Sequence, residues 1–153
     1  MPAKGLGRDG SAAAARGEII HASAVAVEGR ALLILGPSGA GKSALALQMI
    51  ALGAVLVADD RVALSAQPDG VIAAPAPNIA GLIEARGLGL MRMPHCSGRV
   101  VAALQLDRPE PARLPPDDRN MRYCEQDVPL LFRPPGDHVA AIMFLHLQHG
   151  REA

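Results

Sequence analysis

The chain has 153 residues, half of them apolar, and its 15 basic and 15 acidic side chains leave no net charge. That length buries one core and is too short for two ordinary domains. The charge balance, a single Tyr, two Phe and no Trp exclude a general nucleic-acid binder, which needs a basic face and stacking aromatics.

Residues 1–16 are rich in Ala and Gly, carry scattered charges and have no apolar signal-peptide core, so they are expected as a loose tail before a domain spanning 17–153. Residues 19–27 read as one strand, which Glu28-Gly29-Arg30 turns into a buried apolar strand over 31–35. Then comes Gly36-Pro37-Ser38-Gly39-Ala40-Gly41-Lys42-Ser43, the pattern G-x-x-x-x-G-K-S, followed by an expected helix over 44–50 that Gly53 ends. Strand, glycine loop and helix in that order form a phosphate cradle. The glycines let backbone N–H groups of Gly36, Ser38, Gly39, Ala40 and Gly41 surround a phosphate, and the helix start adds its free N–H groups and positive dipole end. Lys42 would reach the β- and γ-phosphates of a nucleotide, and the Ser43 hydroxyl would complete the coordination of Mg²⁺.

A buried strand over 54–58 follows and closes on Asp59-Asp60-Arg61. A right-handed crossover lays it parallel to the strand before the loop, so two carboxylates are expected beside the phosphates. There one acid could take a proton from an attacking hydroxyl while the other serves the metal or a neighbouring base; a polar strand-end turn is the plainer reading. His21 is open in the same way between a packed core residue and a catalytic one. Residues 62–65 and 71–75 read as a β-hairpin around Pro68-Asp69-Gly70. Asn78 is expected to cap a short helix over 79–86 that stops at Gly87, which makes Glu84 either an exposed helix acid or a Mg²⁺ ligand. A strand is expected over 99–104, a proline-rich loop over 108–118 and a further strand over 140–147. Cys96 and Cys124 stand in neither zinc nor C-x-x-C spacing, which leaves free thiols in a reducing compartment. No apolar run approaches the roughly 20 residues of a membrane span, so the expected location is the cytoplasm.

Four separated pieces converge on one family. His21-Ala22-Ser23, the loop 36–43, the run Ala58-Asp59-Asp60-Arg61-Val62, and Ile83-Glu84-Ala85-Arg86-Gly87-Leu88-Gly89-Leu90 resemble the catalytic domain of the HPr kinase/phosphorylases in order and spacing. The resemblance covers about 17–147 and includes an R-P-G-type turn between two late strands. It implies an α/β P-loop (Walker A) domain with a mixed, strand-rich central sheet and the architecture of a PEP-carboxykinase-like P-loop kinase. It further implies an ATP- and Mg²⁺-dependent serine kinase acting on an HPr-type phosphocarrier protein of the phosphotransferase system. The reverse reaction would be phosphorolysis with inorganic phosphate, releasing pyrophosphate.

Carried over by residue, Asp59 resembles the family's catalytic base, with Asp60 and His21 as the pair that tunes it. Lys42 and Ser43 hold the phosphates and Mg²⁺, Glu84 assists the metal, Arg86 belongs to the second signature, and Arg113 steadies the transferring phosphoryl group, with Arg119 and Arg122 close by in sequence. Pro115 stands where the family has a glycine after that arginine, and the run 91–98 is shorter than the family's glycine-bearing loop. The chain resembles the short, catalytic-domain-only forms of alphaproteobacteria, expected without the family's N-terminal domain and C-terminal helices, which leaves homo-oligomer formation open. A P-loop kinase of a small metabolite and a non-catalytic ATP-binding regulatory module are the alternatives.

Overall fold

The computed structural model describes residues 17–152, so the tail expected over 1–16 lies outside the described residues. Eleven strands and two helices follow in the order β1 (Glu18–His21), β2 (Ser23–Val27), β3 (Arg30–Leu35), α1 (Lys42–Leu52), β4 (Val55–Ala58), β5 (Arg61–Gln67), β6 (Gly70–Pro75), β7 (Leu82–Ala85), β8 (Gly89–Arg92), β9 (Gly98–Pro109), β10 (Asn120–Tyr123), β11 (Gln126–Arg133) and α2 (Val139–His149). Nine strands form one mixed sheet in the order β1-β5-β6-β9-β3-β2-β4, with β11 also paired to β9 and β10 to β11, while β7 and β8 make a separate two-stranded sheet. The mixed, strand-rich α/β class expected from sequence is what the chain adopts.

β3, β9 and β11 run parallel. β4 runs in the same direction as β3 but does not touch it along the ladder: β2 lies between them, antiparallel to both. All five residues of β2 are buried, and the four after Ser23 alternate between two cores. Val25 and Val27 join Leu32, Ile34, Leu45, Met49, Met143 and Leu147 on the helical side, whereas Ala24 and Ala26 join Leu33, Val57, Val62, Leu64 and Val71 on the other. β4 also contacts β5 and β6, which stand at the far end of the strand order, so the sheet curls and closes over the second core. Small residues permit that closeness. A Cβ on Gly98 would come within 3.1 Å of the Ala31 Cβ and 3.2 Å of the Ala26 Cβ, tighter than ordinary packing.

Helix α1 is a run of strong helix formers with Leu45, Ala46 and Met49 turned to the sheet. It ends as expected at Gly53 (φ 123°), where the Gly53 N–H bonds to the Ile50 carbonyl and the Ala54 N–H to the Met49 carbonyl, both at 3.0 Å, a Schellman pattern.

Three expectations are corrected. The strand read over 19–27 is two: Ala22 breaks the run, so β1 pairs with β5 while β2 pairs with β3 and β4. The helix read over 79–86 is the β7–β8 hairpin. Positive φ at Asn78 (72°) and Gly81 (80°) interrupts any helical path, and the buried Ile83 beside the exposed Glu84 follows the alternation of a strand. Finally, the strand read over 140–147 is helix α2, so the R-P-G segment joins a strand to a helix rather than to a second strand. Val139-Ala140-Ala141-Ile142-Met143 is apolar throughout, and such a run fits either element. Its 11-residue length and the burial of Ala140, Met143 and Leu147 show one helical face on the core.

Candidate active site

β3 delivers the chain into the glycine loop and α1 starts at Lys42. The loop requires its glycines. Gly39 and Gly41 have φ of 89° and 99°, which a side chain resists, and a Cβ on Gly36 would come within 3.1 Å of the Ala40 Cβ. The Ala40 N–H closes a turn on the Pro37 carbonyl at 3.0 Å. Helix α1 has neither a side-chain cap nor an acidic residue in its first turn. Its leading N–H groups are therefore left for an outside acceptor, with the positive dipole end behind them. Lys42 is buried, and its Nζ donates to the carbonyls of Gly36 at 2.8 Å and Pro37 at 3.1 Å. Two of its three donors thus hold the loop's shape and one remains for an incoming anion.

The end of β4 reaches the same edge. Asp59 is only 8 % exposed, and its Oδ1 accepts hydrogen bonds from the Ser43 hydroxyl at 2.7 Å and the Ser23 hydroxyl at 2.6 Å. Ser23 was not singled out as a site residue from sequence. Its signal was present: a hydroxyl in an otherwise apolar run, two positions after His21. The structure buries it completely and gives it a single task, to hold Asp59.

Asp60 faces differently. The Arg61 N–H bonds to the Asp59 carbonyl at 2.8 Å, a tight three-residue turn around Asp60, whose φ is 71°. That turn is strained for a residue with a side chain, and strain of this kind collects where function over-determines the backbone. It points the Asp60 carboxylate outward to His21, with Nε2 to Oδ1 at 3.2 Å and side chains 70 % and 50 % exposed. The break at Ala22 contributes: its N–H bonds to the Asp60 carbonyl at 3.2 Å, fixing the β1–β2 junction beside the β4–β5 junction.

These parts line one cleft of about 840 Å³, whose opposite wall is the β7–β8 hairpin with Leu82, Glu84, Arg86 and Leu90. Arg113 does not line it; it sits exposed in the loop after β9. Nor do its neighbours. Arg119 bonds to Glu110 at 2.8 Å, which holds that carboxyl below its usual range, and Arg122 pairs with Asp127 at 3.0 Å. Arg86 is the arginine within the cleft. For a divalent cation, the Ser43 hydroxyl and Asp59 carboxylate offer hard oxygen donors at the helix start, with Glu84 lining the same space. Among the described residues no three His, Cys, Asp or Glu side chains converge into a metal cage.

Comparison with known proteins agrees with the resemblance. Residues 12–105 match the family model of the HPr serine kinase C-terminal domain. The HPr kinase/phosphorylase of Geobacillus thermodenitrificans is 34 % identical over 139 residues, covering 81 % of this chain and 45 % of the relative. That of Bordetella pertussis is 48 % identical over 73 residues, covering 47 % of this chain and 24 % of the relative. The chain therefore spans less than half the length of these curated relatives. The solved structure of the HPr(Ser) kinase/phosphatase from Coxiella burnetii shares the fold, with a TM-score of 0.70 and 22 % identity over 86 % of this chain and 88 % of that one. Among the described residues no helix is long and apolar enough to cross a membrane. The chain belongs to the HPr serine kinase C-terminal domain family.

Proposed function

We propose that this domain is an ATP-dependent serine kinase whose acceptor is an HPr-type phosphocarrier protein. One observation carries the reading: an exposed His21–Asp60 pair and a buried Ser23–Asp59 pair open into the same cleft as a phosphate-binding loop. Phosphoryl transfer needs positioning, charge neutralisation and one base for the attacking hydroxyl, and this cleft supplies each.

The loop N–H groups, the start of α1 and the free donor of Lys42 bind the phosphates. Bound beside Ser43 and Asp59, with Glu84 across the cleft, Mg²⁺ would neutralise charge on the β- and γ-oxygens. Our reading divides the two acids differently from the expectation by resemblance, on the strength of their surroundings. Asp59 is buried and its Oδ1 already accepts two hydroxyls, so its place is on the metal side. Asp60, turned outward and backed by His21, is the acid a protein serine can reach, and it takes the hydroxyl proton. Returning that proton to the serine oxygen would serve phosphorolysis by inorganic phosphate in the same geometry. In this reading Arg86, which lines the cleft, takes the role of meeting the transferring group in place of Arg113.

The test is intact-mass detection of phosphate on an HPr-type protein carrying either its acceptor serine or alanine, with Mg-ATP and wild-type, Asp60→Asn or Asp59→Asn enzyme. Serine-dependent transfer is expected. Asp60→Asn should lose about 100-fold or more in rate with ATP affinity kept, whereas Asp59→Asn should weaken Mg-ATP binding itself. ATP binding without transfer to any HPr-type protein would reject the reading in favour of a small-metabolite kinase or a nucleotide-sensing module.

A further inference from the structure

The phosphate loop has a second flank, on the side away from Asp59 and Asp60. There β9 and β11 run parallel in register until Phe132 faces Gln105; the next residue, Arg133, faces Pro109. Leu106, Asp107 and Arg108 are thus left without partners on β11, a three-residue bulge in β9 beside the loop that follows β3. Bulges of this kind re-aim side chains beside functional sites. This one is pinned by the Arg133 Nε donating to the Leu106 carbonyl at 3.0 Å. It also abuts the loop: a Cβ on Gly36 would stand 3.6 Å from Asp107 Oδ1, and one on Gly41 would stand 3.8 Å from the Leu106 side chain.

What the bulge presents is a carboxylate and a stacked cation. Asp107, exposed, accepts a hydrogen bond from the Gln105 amide at 2.6 Å. Arg108, also exposed, lies over the Phe132 ring at 4.7 Å from its centroid, and Arg119 lies over the same ring at 3.7 Å. A guanidinium held on an aromatic ring is a flat, pre-oriented surface on which a heteroaromatic base can stack, and a carboxylate beside it can accept from ribose hydroxyls. Such a platform has no use for phosphate alone. It stands on the flank opposite the transfer chemistry, where the rest of a nucleoside triphosphate must lie once its terminal phosphate points at Asp60.

We propose that the bulge formed by Asp107 and Arg108, backed by Phe132, is the nucleoside subsite of this domain, binding the ribose and base of a purine nucleoside triphosphate. The inference rests on the reading of the glycine loop as the phosphate cradle. It makes Arg108 and Asp107 specificity-determining residues that no phosphate contact explains.

Calorimetric titration with Mg-ATP and with Mg-tripolyphosphate, which has the phosphates and no nucleoside, separates the two. Arg108→Ala should weaken ATP binding about tenfold, the scale of one lost stacking contact, and leave tripolyphosphate within about twofold. Arg108→Lys, which keeps the charge and loses the plane, should resemble Arg108→Ala. Asp107→Ala should abolish the preference for ATP over 2′,3′-dideoxy-ATP. Because both side chains are exposed, thermal melting of the variants should match wild type. Equal losses for ATP and tripolyphosphate in Arg108→Ala would make Arg108 a phosphate contact and sink the subsite, as would ATP binding indifferent to either residue. Failure of the wild-type protein to bind ATP and tripolyphosphate alike would instead overturn the phosphate cradle, and the subsite with it.

Discussion

The two walls of the cleft are built on opposite principles. The glycine loop is held by its own backbone turn, by Lys42 bonded to two loop carbonyls, and by flanking elements whose residues fill the core, so its shape exists before any ligand arrives. The β7–β8 hairpin is a two-stranded sheet outside the main one. It is anchored in the core by Ile83, fully buried, while Leu88 and Leu90 at its tip are 77 % and 67 % exposed. An isolated hairpin of this size is marginal without such an anchor. On the proposed function, a preformed glycine loop facing a hairpin with an exposed tip would hold a nucleotide at fixed geometry and admit a bulky acceptor.

The sharpest way to break that contrast is at its rigid side. Lys42→Ala removes both the loop's internal brace and the charge offered to phosphate, and it should lower kcat/KM for transfer by about 100- to 1,000-fold, read by initial rates at varied ATP. A loss of only a few-fold would mean the backbone N–H groups suffice and Lys42 is mainly structural. On the other wall, Ile83→Ala should cost about 2–4 kcal/mol, the range for truncating a buried aliphatic side chain. Urea unfolding would report it as a lower midpoint. If stability is unchanged but hydrogen exchange over 82–92 quickens, the hairpin opens independently of the domain and Ile83 does not anchor it.

The same contrast explains what could be read from the sequence. The glycine loop, the Glu28-Gly29 turn and the Gly53 helix stop follow from local rules, because a positive φ or a tight turn demands particular residues at particular positions. The β5–β6 hairpin was legible for the same reason. The hairpin wall was not, because Leu82-Ile83-Glu84-Ala85 has no strong preference of its own and its strand form is decided by burying Ile83. Helix α2 reads as a strand through excess rather than lack of signal: an unbroken apolar run carries no period. The break at Ala22 is tertiary, since it arises where β1 must pair with β5 and β2 with β3 and β4. The pairing of His21 with Asp60 follows from the resemblance, whereas the hold of Ser23 on Asp59 emerges only when those junctions are brought together. The surroundings of Arg113 were invisible for a like reason, because a proline-rich loop records no direction.

Behind the rigid wall, α2 packs along α1 with Phe144 against Gly53, and its last turn carries the smallest effect expected. Burial, followed by the charges of Arg151 and Arg30, pushes the His146 pKa below its ordinary value of 6.5. The folded chain therefore resists a proton that the unfolded chain accepts. Above pH 6.5 both states are neutral at this residue and stability is unaffected. As pH falls below 6.5 the unfolded state gains protons first, so stability declines until the lowered folded pKa is passed. His146→Gln removes that one contribution and keeps a polar side chain among the arginines. Melting curves at pH 7.5 and pH 5.5 should show a smaller drop for the variant than for wild type, by a margin well under the Ile83→Ala effect. An equal drop would mean that the C-terminal end of α2 already opens to solvent in the native state, and that the rigidity of the phosphate loop owes nothing to it.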